Sequence, residues 1–579
     1  MDSLEFYFRS EMEYLHQRGI DASKNHSNLA SFLANSNDPD VERLLSGFAF
    51  LTGGLKKKIE DGVPEITHHL LAKIWPAPLR PIPATSIARF YSDTIDTIYT
   101  QYGSCDISAA SQVYTQSDTH RINFNTVHDL HIEPITLEKK SLVREPDRNE
   151  ITLSFLYHGS TPTWKGGEIS LFLGTERESA SLLNLWISSY LDKIYITINN
   201  TKKLINSVIK TFSHSSKSVI QPSENERFWP LHPLIEYFYH PHVHNFVTLD
   251  LSLEHRGINF EKDKRFDITF SFSKLLPINS IEHAFIPHCV PIINIDKCQT
   301  PKIIPPLESN ACKLTQHHVY KILSIQAIQE PDIQNTGELI QFQSVLATRA
   351  TAFKADIENP HHYLFLSHNE TDISDRPQCQ INFYHANGEK LQTQLPPIVC
   401  QYLSWSPNAS SVSVNKIINT SENIPHELAV TNITPCSNSY FGVINSHQHW
   451  RLLSLLSLNY LALRQVETLK ELLRLFDFHP SNISQSNIIQ RCIDGIVSID
   501  TKPLDWLVKG SLHRGIAITL TLDPACYPNL GEMYQFAVAL CCALSISQST
   551  NSFIHMDAIN QQTNEQWHIG HVQGHHPML

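Results

Sequence analysis

The chain has 579 residues, of which 41% are hydrophobic and 18% are charged, and its formal net charge is −12. This composition is typical of a globular protein of about three domains and excludes a disordered or fibrous chain. The acidic balance argues against nucleic acid as a partner, because phosphate binding needs clustered lysine and arginine. Residues 1–19 do not have the pattern of a signal peptide, and the longest apolar run, 533–546, is too short to span a bilayer. We therefore expect a cytoplasmic protein without direct membrane insertion.

Two amphipathic helices are predicted near the N-terminus. Asp38 is suited to cap the first helix, and Pro64 is suited to begin the second. The prolines within residues 76–83 stop the second helix and predict a stiff, extended exit. The candidate packing or interface residues of the first helix recur at helical spacing, and they are Val41, Leu44, Phe48 and Leu55.

From about residue 86 the pattern becomes that of β-strands. Alternating segments separated by polar turns are found at residues 86–92, 150–158 and 168–174. Residues 179–198 interrupt them and indicate one helix that leads into a strand. The middle of the chain is therefore predicted to be β-rich.

The C-terminal third returns to helices. Leucines with mixed three- and four-residue spacing after residue 449 predict a helix that packs on other helices, and Leu456, Asn459 and Leu463 are candidates for packing or for an interface. Asn459 is polar, so it either bonds to a neighbouring helix or loop or sets the register against another subunit. A strand at 512–523, a helix at 532–546 and a further strand are predicted to follow.

The predicted fold class is α+β, with several domains. We expect a helical N-terminal region at 1–85, a β-rich middle domain at 86–300, a second β-rich segment at 301–440 and a mixed α/β C-terminal domain at 441–579.

Four consecutive features of residues 37–83 resemble the TssF family, also called ImpG or VasA, the baseplate wedge subunit of type VI secretion systems. They are the DPDVERL helix start, the FAFLT helix centre, the helix that begins with Pro-Glu and the LRPIP exit. Residues 449–478 resemble the family's W-R-L and LSLNYL helix. Arg514-Gly515, the helix after it and Asn551-Ser552-Phe553 stand in the family's order.

Weaker similarity lies in the middle of the chain. Residues 233–251 are similar to the family's aromatic strand pair, and residues 289–295 to a turn in which Asn294 caps local backbone groups. Asp296 stands where the family usually has phenylalanine, which leaves its packing partner open.

The C-terminal tail departs from the family pattern. Trp567 is kept, but His568-Ile569 replaces the usual Pro-Arg. We assign no function to the tail.

The resemblance implies a structural role rather than an enzymatic one. In this family two TssF copies pair with one TssG to form a wedge, which binds TssK trimers and assembles with TssE around the VgrG spike. The baseplate, docked at the inner membrane, then supports sheath polymerisation and contractile effector delivery. The N-terminal helices are implied to join a helical bundle with TssG, and the C-terminal region to pack in a joint made by both TssF copies and TssG.

Histidine is abundant, with 32 residues. On a strand, alternate residues share a face, so His242 and His244 are candidates to chelate zinc with His232 or Glu236. The spacing fits no established zinc motif, and packed or solvated histidines are the expected outcome. We assign no metal site.

The remaining chemical hypotheses are weaker. No nucleophile elbow, phosphate-binding loop or dinucleotide-binding turn is present, so no catalytic residue and no cofactor is assigned. A β-rich module that binds a ligand or effector remains the alternative. It predicts exposed aromatic residues that line a groove, and the candidates are Phe228, Trp229, Tyr237 and Tyr239.

Overall fold

The computed structural model describes most of the chain from residue 64 onward and short pieces before it. The described residues are 12, 46–52, 64–92, 105–116, 121–145, 148–158, 167–199, 201–205, 209–211, 219, 229–251, 265–305, 311–314, 318–328, 339–344, 363–371, 377–385, 391, 396–421, 423–443, 449–450, 452–453, 465–478, 482–508, 511–547 and 552–573. The chain divides into two compact units, 1–71 with 444–456 and 72–443 with 457–579. We call them the N-terminal unit and the main unit.

The described α-helices, besides the helical segment at 46–52, are α1 (Pro64–Ile74), α2 (Arg177–Leu185), α3 (His232–Tyr239), α4 (Val466–Leu473), α5 (Ile483–Asp494) and α6 (Leu530–Leu544). The strands are β1 (Thr85–Tyr91), β2 (Cys105–Ile107), β3 (Gln112–Gln116), β4 (Arg121–Thr126), β5 (Leu130–Ile132), β6 (Ile135–Glu145), β7 (Arg148–Tyr157), β8 (Glu168–Phe172), β9 (Leu191–Ile198), β10 (Thr201–Ile205), β11 (Ile209–Thr211), β12 (Phe246–Asp250), β13 (Arg265–Phe272), β14 (Ile286–Pro287), β15 (Cys289–Ile293), β16 (Asp296–Gln299), β17 (Ala311–Leu314), β18 (Val319–Ile328), β19 (Leu339–Ser344), β20 (Tyr363–Thr371), β21 (Pro377–His385), β22 (Ile398–Ser404), β23 (Ile417–Thr420), β24 (Ala429–Asn432), β25 (Ile496–Val508), β26 (Ser511–Leu522), β27 (Ser552–Asn560) and β28 (Gln566–Gln573).

The described strands of the main unit form six sheets. Their strand orders are β23-β3-β4-β15-β1-β24, β10-β9-β13-β7-β6, β11-β12-β8-β14, β16-β22-β18-β19-β20-β21-β17, β2-β5 and β25-β26-β27-β28. The α+β class with a β-rich middle is therefore confirmed, whereas the four domain boundaries remain a prediction.

The first sheet joins strands that are far apart in sequence. Ala88 of β1 pairs with Asn432 of β24, and β23 pairs with β3. Asn432 is fully buried, and its side-chain oxygen accepts hydrogen bonds from the backbone N–H groups of Lys416 (2.9 Å) and Ile417 (3.0 Å). A buried amide must be satisfied in this way, so Asn432 fixes the approach to β23.

The predicted strands of the middle region are confirmed where alternation was clear. On β7, Ile151, Leu153 and Phe155 are buried on one face, and Phe155 stacks on Phe266 of β13 with ring centroids 5.4 Å apart. The predicted helix and strand at 179–198 are also present, as α2 followed by a π-helical turn (Trp186–Tyr190) and β9.

The C-terminal region contains a β-α-β unit. Strand β26 runs parallel to β27, and α6 connects them, as the sequence predicts. Almost every side chain of α6 is buried, because the helix packs on α2 and α3 as well as on β27 and β28. No helix among the described residues is long and apolar enough to cross a membrane.

Two local predictions were wrong. The first half of the predicted strand pair at 233–251 is the helix α3, with a proline at its start. All eight of its residues are buried, so no polar side marks its periodicity. The exit after α1 is not fully extended, because Ala77–Leu79 forms a 3₁₀ turn.

Asn294 follows a strand rather than lying in a local turn. Its side chain donates to the carbonyl of Asn123 and accepts from the N–H of Ser406, each at 2.6 Å, and both groups are remote in sequence. Asp296, which stands where the family usually has phenylalanine, accepts hydrogen bonds from the side chains of Asn123 and Gln112. At this position hydrogen bonds therefore replace aromatic packing.

Candidate protein–protein interface

The helical segment at 46–52 exposes three large apolar side chains. Phe48 is 54% exposed, Phe50 55% and Leu51 70%, whereas Ala49 is fully buried. The Thr52 hydroxyl bonds to the carbonyl of Phe48 at 2.7 Å, one helical turn back. The small alanine thus faces the protein, and the large residues face solvent.

Two more exposed apolar residues belong to the same compact unit. Leu70 on α1 is 45% exposed, and Trp450 is 56% exposed. We call the five residues the N-terminal apolar set, and they are Phe48, Phe50, Leu51, Leu70 and Trp450. Single exposed apolar residues are normal on a protein surface, but Phe48, Phe50 and Leu51 are all exposed within one turn of a helix, which is typical of an interaction surface.

The N-terminal unit also has buried residues of its own. Leu71 and Leu452 are almost fully buried, and so are His68 and His449, whose rings lie 5.7 Å apart in an edge-on contact. This contact connects α1 to the segment that returns to the unit late in the sequence. The unit therefore packs internally while the apolar set stays in solvent.

Of the seven candidate residues from the sequence, the structure describes Phe48. Because its side chain is mostly exposed, it is available to a partner rather than buried in an internal core. The others lie outside the described residues, and they are Val41, Leu44, Leu55, Leu456, Asn459 and Leu463. They remain predictions.

Sequence reasoning missed Phe50, Leu51 and Trp450. The helical face chosen from spacing passes through Phe48; Leu51, three residues later, lies on the same face but was not selected, whereas Phe50 lies off that face. The available signal was the FAFL run itself, since consecutive large apolar residues on a helix cannot all point to one side.

A partly buried charged pair joins two helices of the main unit, since Glu532 is buried and Arg177 is one-third exposed. The Arg177 guanidinium of α2 donates to both carboxylate oxygens of Glu532 on α6, at 2.6 and 2.7 Å. Burial alone would lower the pKa of Arg177, but the Glu532 charge and its hydrogen bonds outweigh burial and raise it. The Glu532 N–H is also bonded to the Asn529 side chain that caps α6. These groups are committed to holding α2 and α6 together.

The histidines at 240–244 do not form a strand on which His242 and His244 could chelate a metal. They follow α3 in a turn, and the ring of His240 bonds through Nδ1 to the Thr85 hydroxyl at 3.0 Å. His244 lies 3.7 Å from the carboxylate of Glu236. Burial lowers the pKa of His240 and His244 to about 3, and that of His242 to about 4. They are packed, neutral imidazoles.

The aromatic groove of the alternative hypothesis is not supported by its described members. Tyr237 and Tyr239 are both buried, and the Tyr239 hydroxyl bonds to the backbone of Phe476 and Phe478, each at 3.0 Å. Both tyrosines border a cavity of about 210 Å³, smaller than the roughly 300–1,000 Å³ of most ligand sites. The side chains of Phe228 and Trp229 lie outside the described residues.

Comparison with known proteins decides the family. The family model described as type VI secretion system, TssF, matches residues 1–573. The chain belongs to the TssF family. It is 21% identical to the type VI secretion system component TssF1 of Pseudomonas aeruginosa, over 92% of each chain.

Two solved structures share the TssF fold of this chain. One is a chain of a TssK-TssF-TssG baseplate subcomplex determined by cryo-electron microscopy, with a TM-score of 0.74, 20% identity, and coverage of 93% of this chain and 99% of that one. The other is a chain of a type VI secretion baseplate complex, with a TM-score of 0.58, 20% identity and full coverage of both chains. At this identity the likeness establishes the fold.

Proposed function

We propose that the chain is a structural wedge subunit of a type VI secretion baseplate and has no enzymatic activity. Two copies pair with one TssG, and the wedge binds TssK and assembles with TssE around the VgrG spike on the cytoplasmic side of the inner membrane. There it supports sheath polymerisation and effector delivery. The proposal rests on the family match along nearly the whole chain and on the relative solved with TssK and TssG.

The N-terminal apolar set is the observation that carries the proposal in this chain. An exposed helix that presents two phenylalanines and a leucine is suited to a helical bundle formed with another chain, because such contacts bury apolar faces. The partner that we propose for the N-terminal apolar set is TssG. Arg177 and Glu532 of the main unit are charged residues that bond to each other, and the N–H of Glu532 bonds to the side chain of the helix cap Asn529.

The test is affinity capture of TssG and TssK, from the same secretion system, by the full-length chain and by two variants. Leu51→Asp places a charge on the exposed helix and is expected to abolish TssG capture without loss of folded protein. The matched control is Leu275→Asp, at a leucine of the main unit that is 51% exposed. The control is expected to capture TssG normally. A full-length chain that stays monomeric with both partners would contradict the proposal and favour an isolated binding module.

A further inference from the structure

Three histidines meet on one face of the C-terminal sheet. On strands β27 and β28, His555 is the direct cross-strand partner of His571, and Asp557 is the partner of His568. One nitrogen from each histidine ring can be chosen so that all three lie within 4.8 Å of one another. Among the described residues, this is the one group of three or more histidine, cysteine, aspartate or glutamate side chains that lie close enough together to hold a metal ion.

A β-bulge brings the third histidine to this face. Residues 568 and 571 are three apart, so on a regular strand their side chains would point to opposite faces. The register shifts between Met556 and Asp557, and Gly570 there has φ +114°, a conformation that favours glycine. The extra residue, Ile569, is buried, and His568 and His571 both reach the exposed face.

Neighbouring side chains orient the rings. The Nδ1–H of His568 donates to the Asp557 carboxylate at 2.9 Å, which leaves Nε2 with its lone pair. Carboxylates hold metal-binding histidines in this way and make them better ligands. The ring of His571 stacks on Trp506, with centroids 4.3 Å apart and planes 15° apart. Two of the three rings are therefore held before any ion binds.

His555 has a buried nitrogen without a partner. Its Nδ1 is buried and makes no hydrogen bond, whereas its Nε2 lies 3.7 Å from the Asp557 carboxylate. The proton of a neutral ring is favoured beside the carboxylate, so Nδ1 keeps its lone pair. A buried acceptor left unpaired is costly.

We propose that His555, His568 and His571 form a zinc site, with Asp557 behind His568 and water in the fourth position. Three imidazoles suit zinc and related divalent transition metals. Zn–N distances of about 2.0–2.1 Å place tetrahedral ligand atoms about 3.4 Å apart, so the rings close by at most about 1.4 Å. Small tilts of the exposed His568 and His571 rings, which keep the Asp557 hydrogen bond and the Trp506 stack, close this distance. Because β28 is the edge strand of its sheet, the ion would fasten that edge to β27.

The test is metal titration of the full-length chain, produced without a histidine tag and stripped with a chelator. Cobalt binding is followed by the visible absorption of a tetrahedral site, and zinc affinity by competition with a chromophoric chelator. One ion per chain is expected, together with slower hydrogen exchange in β28 when zinc is added. Asp557→Asn is expected to weaken zinc binding about 10–100-fold, and His568→Ala or His571→Ala to weaken it further.

The control is His283→Ala, at an exposed histidine outside the cluster, and it is expected to bind zinc as the unaltered chain does. Because residues 568 and 571 are exposed, their variants should keep the metal-free melting temperature, which checks folding. The proposal is overturned if no stoichiometric ion binds, or if the ion binds equally well without His568 and His571.

Discussion

Truncation of one exposed leucine should measure how much the N-terminal unit contributes to assembly. In Leu51→Ala, three carbon atoms are removed from a side chain that is 70% exposed in the isolated chain. Burial stabilises by about 0.8 kcal/mol per methylene, so full burial of the exposed part against TssG is worth about 1–2 kcal/mol. This corresponds to a dissociation constant for TssG that is about 5–30-fold larger.

The assay is a titration of labelled TssG with the full-length chain at fixed salt. The control Leu275→Ala removes the same atoms from a leucine of similar exposure in the main unit, and its affinity should stay within about twofold. Melting temperatures of both variants should match that of the unaltered chain, because neither side chain is buried. Equal TssG affinity for the unaltered chain and for Leu51→Ala would refute the assignment of this helix to the interface.

Two further predictions concern the main unit. Glu532→Gln leaves the Arg177 charge unpaired and should lower the free energy of unfolding by about 2–3 kcal/mol. This is less than the loss of about 3–5 kcal/mol for a fully buried pair, because Arg177 is one-third exposed. Arg177→Met combined with Glu532→Leu should recover most of the thermal stability, and a Glu532→Gln melting temperature equal to that of the unaltered chain would disprove the prediction. The histidines at 240, 242 and 244 have pKa values of about 3, 4 and 3 in the folded chain and titrate near 6.5 when the chain is unfolded. Because the unfolded chain therefore binds more protons below pH 6.5, the free energy of unfolding should fall between pH 6.5 and 4, by up to about 1.4 kcal/mol per pH unit for each histidine. A urea midpoint that does not change between pH 7 and pH 5 would contradict this prediction.

The sequence predicts those elements whose two sides differ. From residue 151 to residue 157, strand β7 alternates between buried and half-exposed residues and was predictable from a period of two, as was the long α6 from its length. Helix α3 has eight buried residues and was mistaken for a strand, because a short apolar run has no polar side to reveal its period.

Contacts between distant segments were beyond local patterns. Nothing near Asn432 indicates that β24 pairs with β1, more than 300 residues earlier. The histidine cluster escaped for a related reason, since alternation places His568 and His571 on opposite faces and only the bulge at Gly570 reverses this. The sequence does show histidine at 568 where the family usually has proline, but it gives no indication that His555 and His571 lie beside it.

The separation of core from interface also required the structure. Spacing selected Phe48 as a packing residue, and exposure shows that its side chain is available to another chain. The proposal that this other chain is TssG rests on the relative solved with TssK and TssG, and not on the pattern of apolar residues.

Native mass spectrometry of the chain co-expressed with TssG tests the proposed wedge. One dominant complex with two copies of the chain and one TssG is expected, and Leu51→Asp but not Leu275→Asp is expected to remove this complex. A folded chain that remains monomeric beside folded TssG would contradict the wedge assignment.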